Sequence, residues 1–246
     1  MQKTILLSAL LLAVFTSFAQ TKTNSNINQF TDLAVTFGSS QASIAASYVH
    51  NWKFGFGKKR NWEAGLGARW TNSFGSDLDY TTAGRAKFTR TSTAPFLIFF
   101  AGQKTENWDT LTVRNAYTSA LNISANFGYH LSGKLSAGFN IDVIGFTLGK
   151  KSAGVFTSNG VATAEPVAKL TSFNVLLTGD HDYGSLNSEF FVRYKLNDKW
   201  SLRGIYQFLF TEYKTTNVQQ TLPDGSANNR FRNKANNFGV GASYHF

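Results

Sequence analysis

The chain has no cysteine, which excludes disulfides, thiolate metal ligands, a cysteine nucleophile and a lipid-modified N-terminal cysteine. Proline is scarce, three in 246 residues. Beyond the N-terminus no apolar run approaches the roughly 18 residues that suggest a membrane helix; the longest is Pro95 to Gly102. If this chain spans a membrane, it does so as strands. Nothing has the spacing of a metal centre, a phosphate-cradling glycine loop or a nucleophile elbow, so no metal or cofactor is expected. Acidic residues are few, 14 against 24 lysines and arginines, for a formal net charge of +10.

The N-terminus reads as a cleaved secretory signal over residues 1–19. Lys3 supplies the positive start, Ile5 to Phe15 the apolar run, and Ser17-Phe18-Ala19 the small-residue site before Gln20. The run is too short for a spanning helix. Export makes nucleic acid a poor partner, and a charge of +9 after cleavage favours anionic lipid headgroups or lipopolysaccharide.

What is present is long alternation. From Asn61 to Phe74 one face carries Trp62, Ala64, Leu66, Ala68 and Trp70, the other Glu63, Gly65, Gly67, Arg69 and Thr71. Asn115 to Ser132 alternates likewise, and after Ser132-Gly133-Lys134 the pattern resumes with Leu135, Ala137, Phe139, Ile141 and Val143 outward. A second hairpin joins Leu186–Leu196 to Trp200–Phe210 across Asn197-Asp198-Lys199. With the weaker segments Phe30–Phe37 and Gln41–Trp52 and the final segment Phe238–Phe246, the strands number eight.

The period is that of strands with one face in lipid and one in a lumen. The final alternating segment ends in phenylalanine, and here the chain resembles the small bacterial outer-membrane β-barrel superfamily of the OmpA transmembrane domain, OmpX and OmpW; its Phe-Ala-Gln signal ending resembles those of Bacteroidota. The resemblance implies an all-β, closed, antiparallel, up-and-down transmembrane β-barrel in the cell outer membrane, with both termini periplasmic. It also implies a last strand, through Phe238, Val240, Tyr244 and Phe246, read by the barrel-assembly machinery.

Connection lengths fit this reading. Lys53–Arg60, Ser132–Lys134 and Asn197–Lys199 form short periplasmic turns, while Gly75–Arg114, Lys150–Ser185 and Lys214–Ala235 form long extracellular loops that hold Pro95, Pro166 and Pro223. Trp52, Trp62, Tyr129, Trp200 and Phe246 would girdle the periplasmic rim, with Trp70, Tyr117 and Phe210 opposite. The domain plan is a signal over 1–19, a polar tail over 20–29 and a barrel over 30–246. A ten-stranded alternative would draw a further hairpin from Gly75–Arg114.

The inward faces collect Glu63, Arg69, Asn122, Asn126, Asn140, Asp142, Glu189, Arg193, Arg203 and Gln207. In so narrow a barrel these charges must pair, so an interlocked polar filling is expected; the alternative is a gate across a narrow ion path. Arg230, Arg232 and Lys234, just above the last strand, are the candidate contacts for lipopolysaccharide phosphates. The apolar patches Phe96–Phe100 and Phe173–Leu177 suit a channel or carrier of small or hydrophobic molecules. Asp180-His181-Asp182 could orient an imidazole for lipid A chemistry, although such a tripeptide in a glycine-bounded turn is more simply a solvated loop. The expected function is non-enzymatic, structural or surface-binding, exerted through the long loops.

Overall fold

A computed structural model describes residues 26–55, 60–92, 102–177 and 182–246. The signal segment, Phe96–Phe100 and His181 lie outside the described residues.

Eight antiparallel strands form a ring. They are β1 (Ile27–Phe37), β2 (Gln41–Phe54), β3 (Trp62–Thr82), β4 (Thr110–His130), β5 (Leu135–Leu148), β9 (Leu186–Lys195), β10 (Trp200–Lys214) and β13 (Arg230–His245). Each pairs with its neighbour in chain order, and β13 returns to β1 from Phe30↔His245 to Phe37↔Phe238. The ring therefore has no free edge, which matters for a chain rich in alternating apolar strands. Residues facing in sit close together: a Cβ on Gly65 would come within 2.0 Å of the His50 carbonyl oxygen, so only glycine fits there. The polar tail is shorter than expected, because β1 already begins at Ile27.

The segments expected as long loops contain long strand portions, and these build a second tier. β3 and β4 run on for 21 residues each. A hairpin of β6 (Ser152–Ser158) and β7 (Val161–Leu170) continues the line of β5: Ser119↔Leu148 and Thr110↔Thr157 keep one register along β4. β7 pairs with β10 at Tyr213↔Leu170, and β13 pairs with β3 at Phe231↔Thr82. Above the short β1–β2 hairpin the ring thus closes again with six strands, β3-β4-β6-β7-β10-β13. The Gly75–Arg114 segment lengthens β3 and β4, and its described residues add no further strand to the ring.

Below β7 the chain continues as β8 (Phe173–Val175) along β5, so this predicted apolar patch is a strand with Phe173 against Phe146. Small strands β11 (Gln220–Thr221) and β12 (Ala227–Asn228) lie over the top. Pro166, assigned to a loop by the sequence, sits inside β7 where the β6–β7 register shifts, a break that tolerates its missing N–H.

Two irregularities set which side chains face in. On β5 the register against β4 shifts by one at Val143, so Asp142 faces in while Ile144 and Phe146 face out; the sequence alternation had placed Val143 outward and stopped there. On β3 Asp77 has φ of +51°, and the exposed pair Ser76-Asp77 lies opposite the exposed pair Arg114-Asn115. The alternation inverts there, so Leu78, Tyr80, Leu111 and Val113 turn inward above it. Replacing Asp77 by the β-branched valine should cost about 1–2 kcal/mol in urea unfolding of the refolded protein, whereas Asp77→Gly should cost none.

Candidate functional site: a filled lumen and a clad outer wall

The lower lumen is filled by three layers of polar side chains. Nearest the lower mouth, Glu63 accepts from Asn28 at 2.7 Å and lies 3.3 Å from His130 and 3.6 Å from Arg193. In the middle, Arg69 reaches Asp142 at 2.6 Å, Asn140 and the Asn187 carbonyl, and Arg203 reaches Asp32. Glu189 lies 3.4 Å from each of these two arginines. Asn122 donates to Asp142 at 2.7 Å, as does the Asn187 amide at 3.0 Å. In the upper layer, Gln207 accepts from Thr36 at 2.6 Å and Asn237 at 2.8 Å and donates to Ser43 at 3.0 Å.

These groups are nearly inaccessible, with Asp142 and Gln207 at 0% and Glu189 at 1% exposure. Charges so buried persist only when paired, as each of these is, and among the described residues all but Arg193 are also hydrogen-bonded. Between the lower and middle layers, beside Asn126 and Asn140, remains a void of about 10 Å³, at most one water.

Above these layers the interior changes character. Leu78, Tyr80, Leu111, Val113, Phe156, Tyr213 and Phe231 form a buried apolar core inside the six-stranded ring. Tyr80 and Tyr213 meet edge to face with centroids 5.0 Å apart, and Phe156 meets Phe231 at 5.6 Å. Glu165 of β7 ties the rim to this core: its carboxylate accepts the Thr216, Asn217 and Val218 amides at 2.8–3.1 Å. Burial pushes its pKa up, and hydrogen bonds from the Asn217, Val167 and Val218 amides and the Asn217 side chain more than reverse that, holding it below the ordinary carboxylate value.

The outer wall beside the upper ring carries a further ion cluster. Along β10 and β13 the even-numbered residues face out, as exposed Leu202, Tyr206, Phe238 and Val240 show. Continuing upward, the same face presents Glu212, Arg230 and Arg232, yet Glu212 is fully buried. Glu212 accepts from Arg230 at 2.7 Å and from Arg232 at 2.9 Å. Both guanidiniums also donate to the Asp182 carbonyl, Arg230 stacks 3.7 Å from the Tyr183 ring, and Thr171 donates to Glu212 at 2.7 Å. The residues flanking β8 therefore clad the wall. Leu186 and Phe210, expected outward and exposed, are outward but covered.

Burial pushes the Glu212 carboxyl up, but the hydrogen bond from Arg230 and the charges of Arg232 and Arg230 outweigh it, leaving the pKa below the ordinary carboxylate value. A carboxylate with a depressed folded pKa contributes stability above its unfolded pKa and loses it as pH falls through the folded one. Amide protection of Tyr183, bonded to the Val175 carbonyl at 3.0 Å, should accordingly fall as pH drops below the ordinary carboxylate range. Lys214 and Asp182, whose carboxylate accepts the Leu177 amide at 2.7 Å, remain in Glu212→Gln, which should therefore reduce that dependence without abolishing it.

Of the predicted interior residues, Glu63, Arg69, Asn122, Asn126, Asn140, Asp142, Glu189, Arg193, Arg203 and Gln207 all face the lumen and are buried. Of the predicted lipopolysaccharide contacts, Arg230 and Arg232 are turned to Glu212, which corrects their reading as surface cations; Lys234 is exposed. Phe238 and Val240 face outward and are well exposed, while Tyr244 and Phe246 stack at the lower rim.

Sequence reasoning missed Asp32, the counter-ion of Arg203, because β1 alternates weakly. Glu212 was also missed, since Lys214–Ala235 was read as a loop that opened just beyond it. The signal for the upper hairpin was present: Asn159-Gly160, with φ of +48° and +79°, is the left-handed pair that closes a tight turn between β6 and β7.

No family model matches the chain, and no curated protein matches it. Among solved structures it is similar to Neisserial surface protein A (9% identity, 92% of this chain and 100% of that one, TM-score 0.35). It is also similar to a de novo designed transmembrane β-barrel (5% identity, 92% and 100%, TM-score 0.34) and to the attachment invasion locus protein of Yersinia pestis in complex with sucrose octasulfate (9%, 89% and 96%, TM-score 0.33).

Proposed function

We propose that this chain is an exported outer-membrane β-barrel protein without enzymatic activity, sealed along its axis, whose role is structural or surface-binding through its upper ring. The observation that carries the reading is the lumen: paired charges and amides fill the lower ring and an aromatic core fills the upper, so the described residues leave no aqueous path. This filling supports a sealed barrel over the gate and channel alternatives.

Membrane placement is supported by the outer face of the eight-stranded ring. Leu33, Leu66, Leu121, Phe190, Val192 and Leu202 stand 50–57% exposed there, a belt that water would not tolerate and lipid would. Trp52, Trp62 and Trp200 edge it below and Trp70 and Tyr117 above, the girdle positions at the two interfaces. A tilted spanning strand needs about 9–11 residues, so β3 and β4 at 21 rise well beyond the outer interface and carry the upper ring clear of it. With this placement both termini are periplasmic. Lys234 would then stand at headgroup level, where lipopolysaccharide phosphates are its partner. Phe238, Val240, Tyr244 and Phe246 would be offered to the assembly machinery along the lipid face.

The histidines support a non-catalytic reading. Among the described residues His50 bonds Gln29 at 2.8 Å, His130 faces Glu63, and His245 bonds Ser201 at 2.8 Å, all at the lower end and all occupied by the wall. The test is single-channel recording of the refolded, signal-free protein in planar bilayers. Silence in protein shown to be folded is expected, and stepwise openings altered by Glu189→Gln would sink the sealed-barrel reading.

A further inference from the structure

The lower mouth of the eight-stranded ring opens into a cavity of about 670 Å³. Its wall carries Lys53, Arg60, Lys134 and Lys195, with Arg193 at the inner end. The acids near them are few: Asp198 is taken by Lys195 at 2.8 Å, and Glu63 lies inward, shared with Asn28 and His130. Arg193 is 4% exposed, yet its Nε is buried with no acceptor. Among the described residues its contacts are the long 3.6 Å ion pair to Glu63 and the ring faces of Phe30 and Phe191, 4.2 and 4.9 Å from the guanidinium carbon. Arg69 in the same lumen has every guanidinium nitrogen engaged; Arg203 and Arg232 also bury an Nε without an acceptor, but each donates from Nη2 to a carboxylate, Asp32 or Glu212, whereas Arg193 makes no side-chain hydrogen bond among the described residues.

A buried guanidinium without an acceptor is costly, and its planar fork is shaped for an oxyanion. We propose that this mouth binds a small organic carboxylate, its carboxylate on Arg193 and its apolar body against Ile27, Leu131, Leu135 and Phe246, which line the same cavity. At the inner end Arg193 stands alone and already close to Glu63, which suits a monoanion there over a phosphate dianion. The apolar lining suits a short aliphatic chain over a bare ion. The site is separate from the upper ring and does not depend on which compartment the mouth faces.

The test follows the Arg193 Nε–H resonance of the full signal-free chain, refolded in non-ionic detergent and labelled with ¹⁵N-arginine, during titration with hexanoate, hexanol and inorganic phosphate. A saturable shift with hexanoate is expected, with weaker effects of phosphate and none of hexanol. Arg193→Lys keeps the charge but loses the fork, and should weaken hexanoate binding about tenfold, the worth of one charge-assisted hydrogen bond. Should that variant not fold, Lys134→Gln, exposed on the rim, should still weaken binding by reducing the local field. Absence of a saturable shift with hexanoate, unchanged affinity in Arg193→Lys, or equal binding of hexanol would each overturn the proposal, and tighter binding of phosphate would overturn the choice of a carboxylate.

Discussion

Arg69→Met should lower the unfolding free energy of the refolded barrel by about 3–5 kcal/mol, the cost of stranding a buried charge by removing its partner. Arg69 is the one cation within 4 Å of Asp142 among the described residues, and it shares Glu189 with Arg203. Its removal leaves Asp142 without a cation and Glu189 with Arg203 alone, both carboxylates almost wholly buried. The check is urea unfolding in lipid vesicles, followed by tryptophan fluorescence. Arg69→Met combined with Asp142→Asn should recover a large part of the loss, because the second change removes the stranded charge and keeps the amide contacts with Asn122. A loss under 1 kcal/mol in the single variant would mean that water reaches this layer, and the sealed lumen would fail with it.

The lower ring was legible because alternation there is long, weak only on β1 and broken only at Val143 of β5. Period two assigns each residue to a face, so the ten inward polar residues from Glu63 to Gln207 could be named without any structure. Pairing was not legible, since which acid meets which arginine depends on strand stagger. Arg203 of β10 meets Asp32 of β1, 171 residues away, across β13, and no local pattern marks that.

The upper ring was illegible for a different reason: its alternation is inverted at Asp77 and interrupted at Pro166. Each break is one residue long and moves all later residues to the other face. A window carried across such a break averages two opposite phases and sees a polar, structureless loop. The Arg230-Phe231-Arg232 stretch shows the consequence. Phe231 points into the core while Arg232 is buried and Arg230 half-buried on the outer wall under Asp182 and Tyr183, so a stretch that resembles a solvated loop base is a strand with both faces largely covered.

That aromatic core predicts the second large effect. Phe231→Ala should cost about 3–5 kcal/mol, the range for truncating a buried aromatic, and the loss should be confined to the upper tier. Phe231 is fully buried against Phe156 and lies at the point where β13 crosses to β3, so its loss weakens the closure of the six-stranded ring as well as its filling. The lower ring keeps its own complete circuit of hydrogen-bonded strands, and Gln207, Asn237, Thr36 and Ser43 still plug it from above. Hydrogen exchange should therefore show lost protection at Leu111, Val113 and Phe156 with β1, β2 and β9 unchanged, and bilayer recordings should stay silent. Val161→Ser at the exposed tip of the β6–β7 hairpin supplies the control, expected to shift stability by no more than about 0.5 kcal/mol. Uniform loss of protection through both tiers would mean that they fold as one cooperative unit, and the upper ring could not then be varied independently of the barrel that carries it.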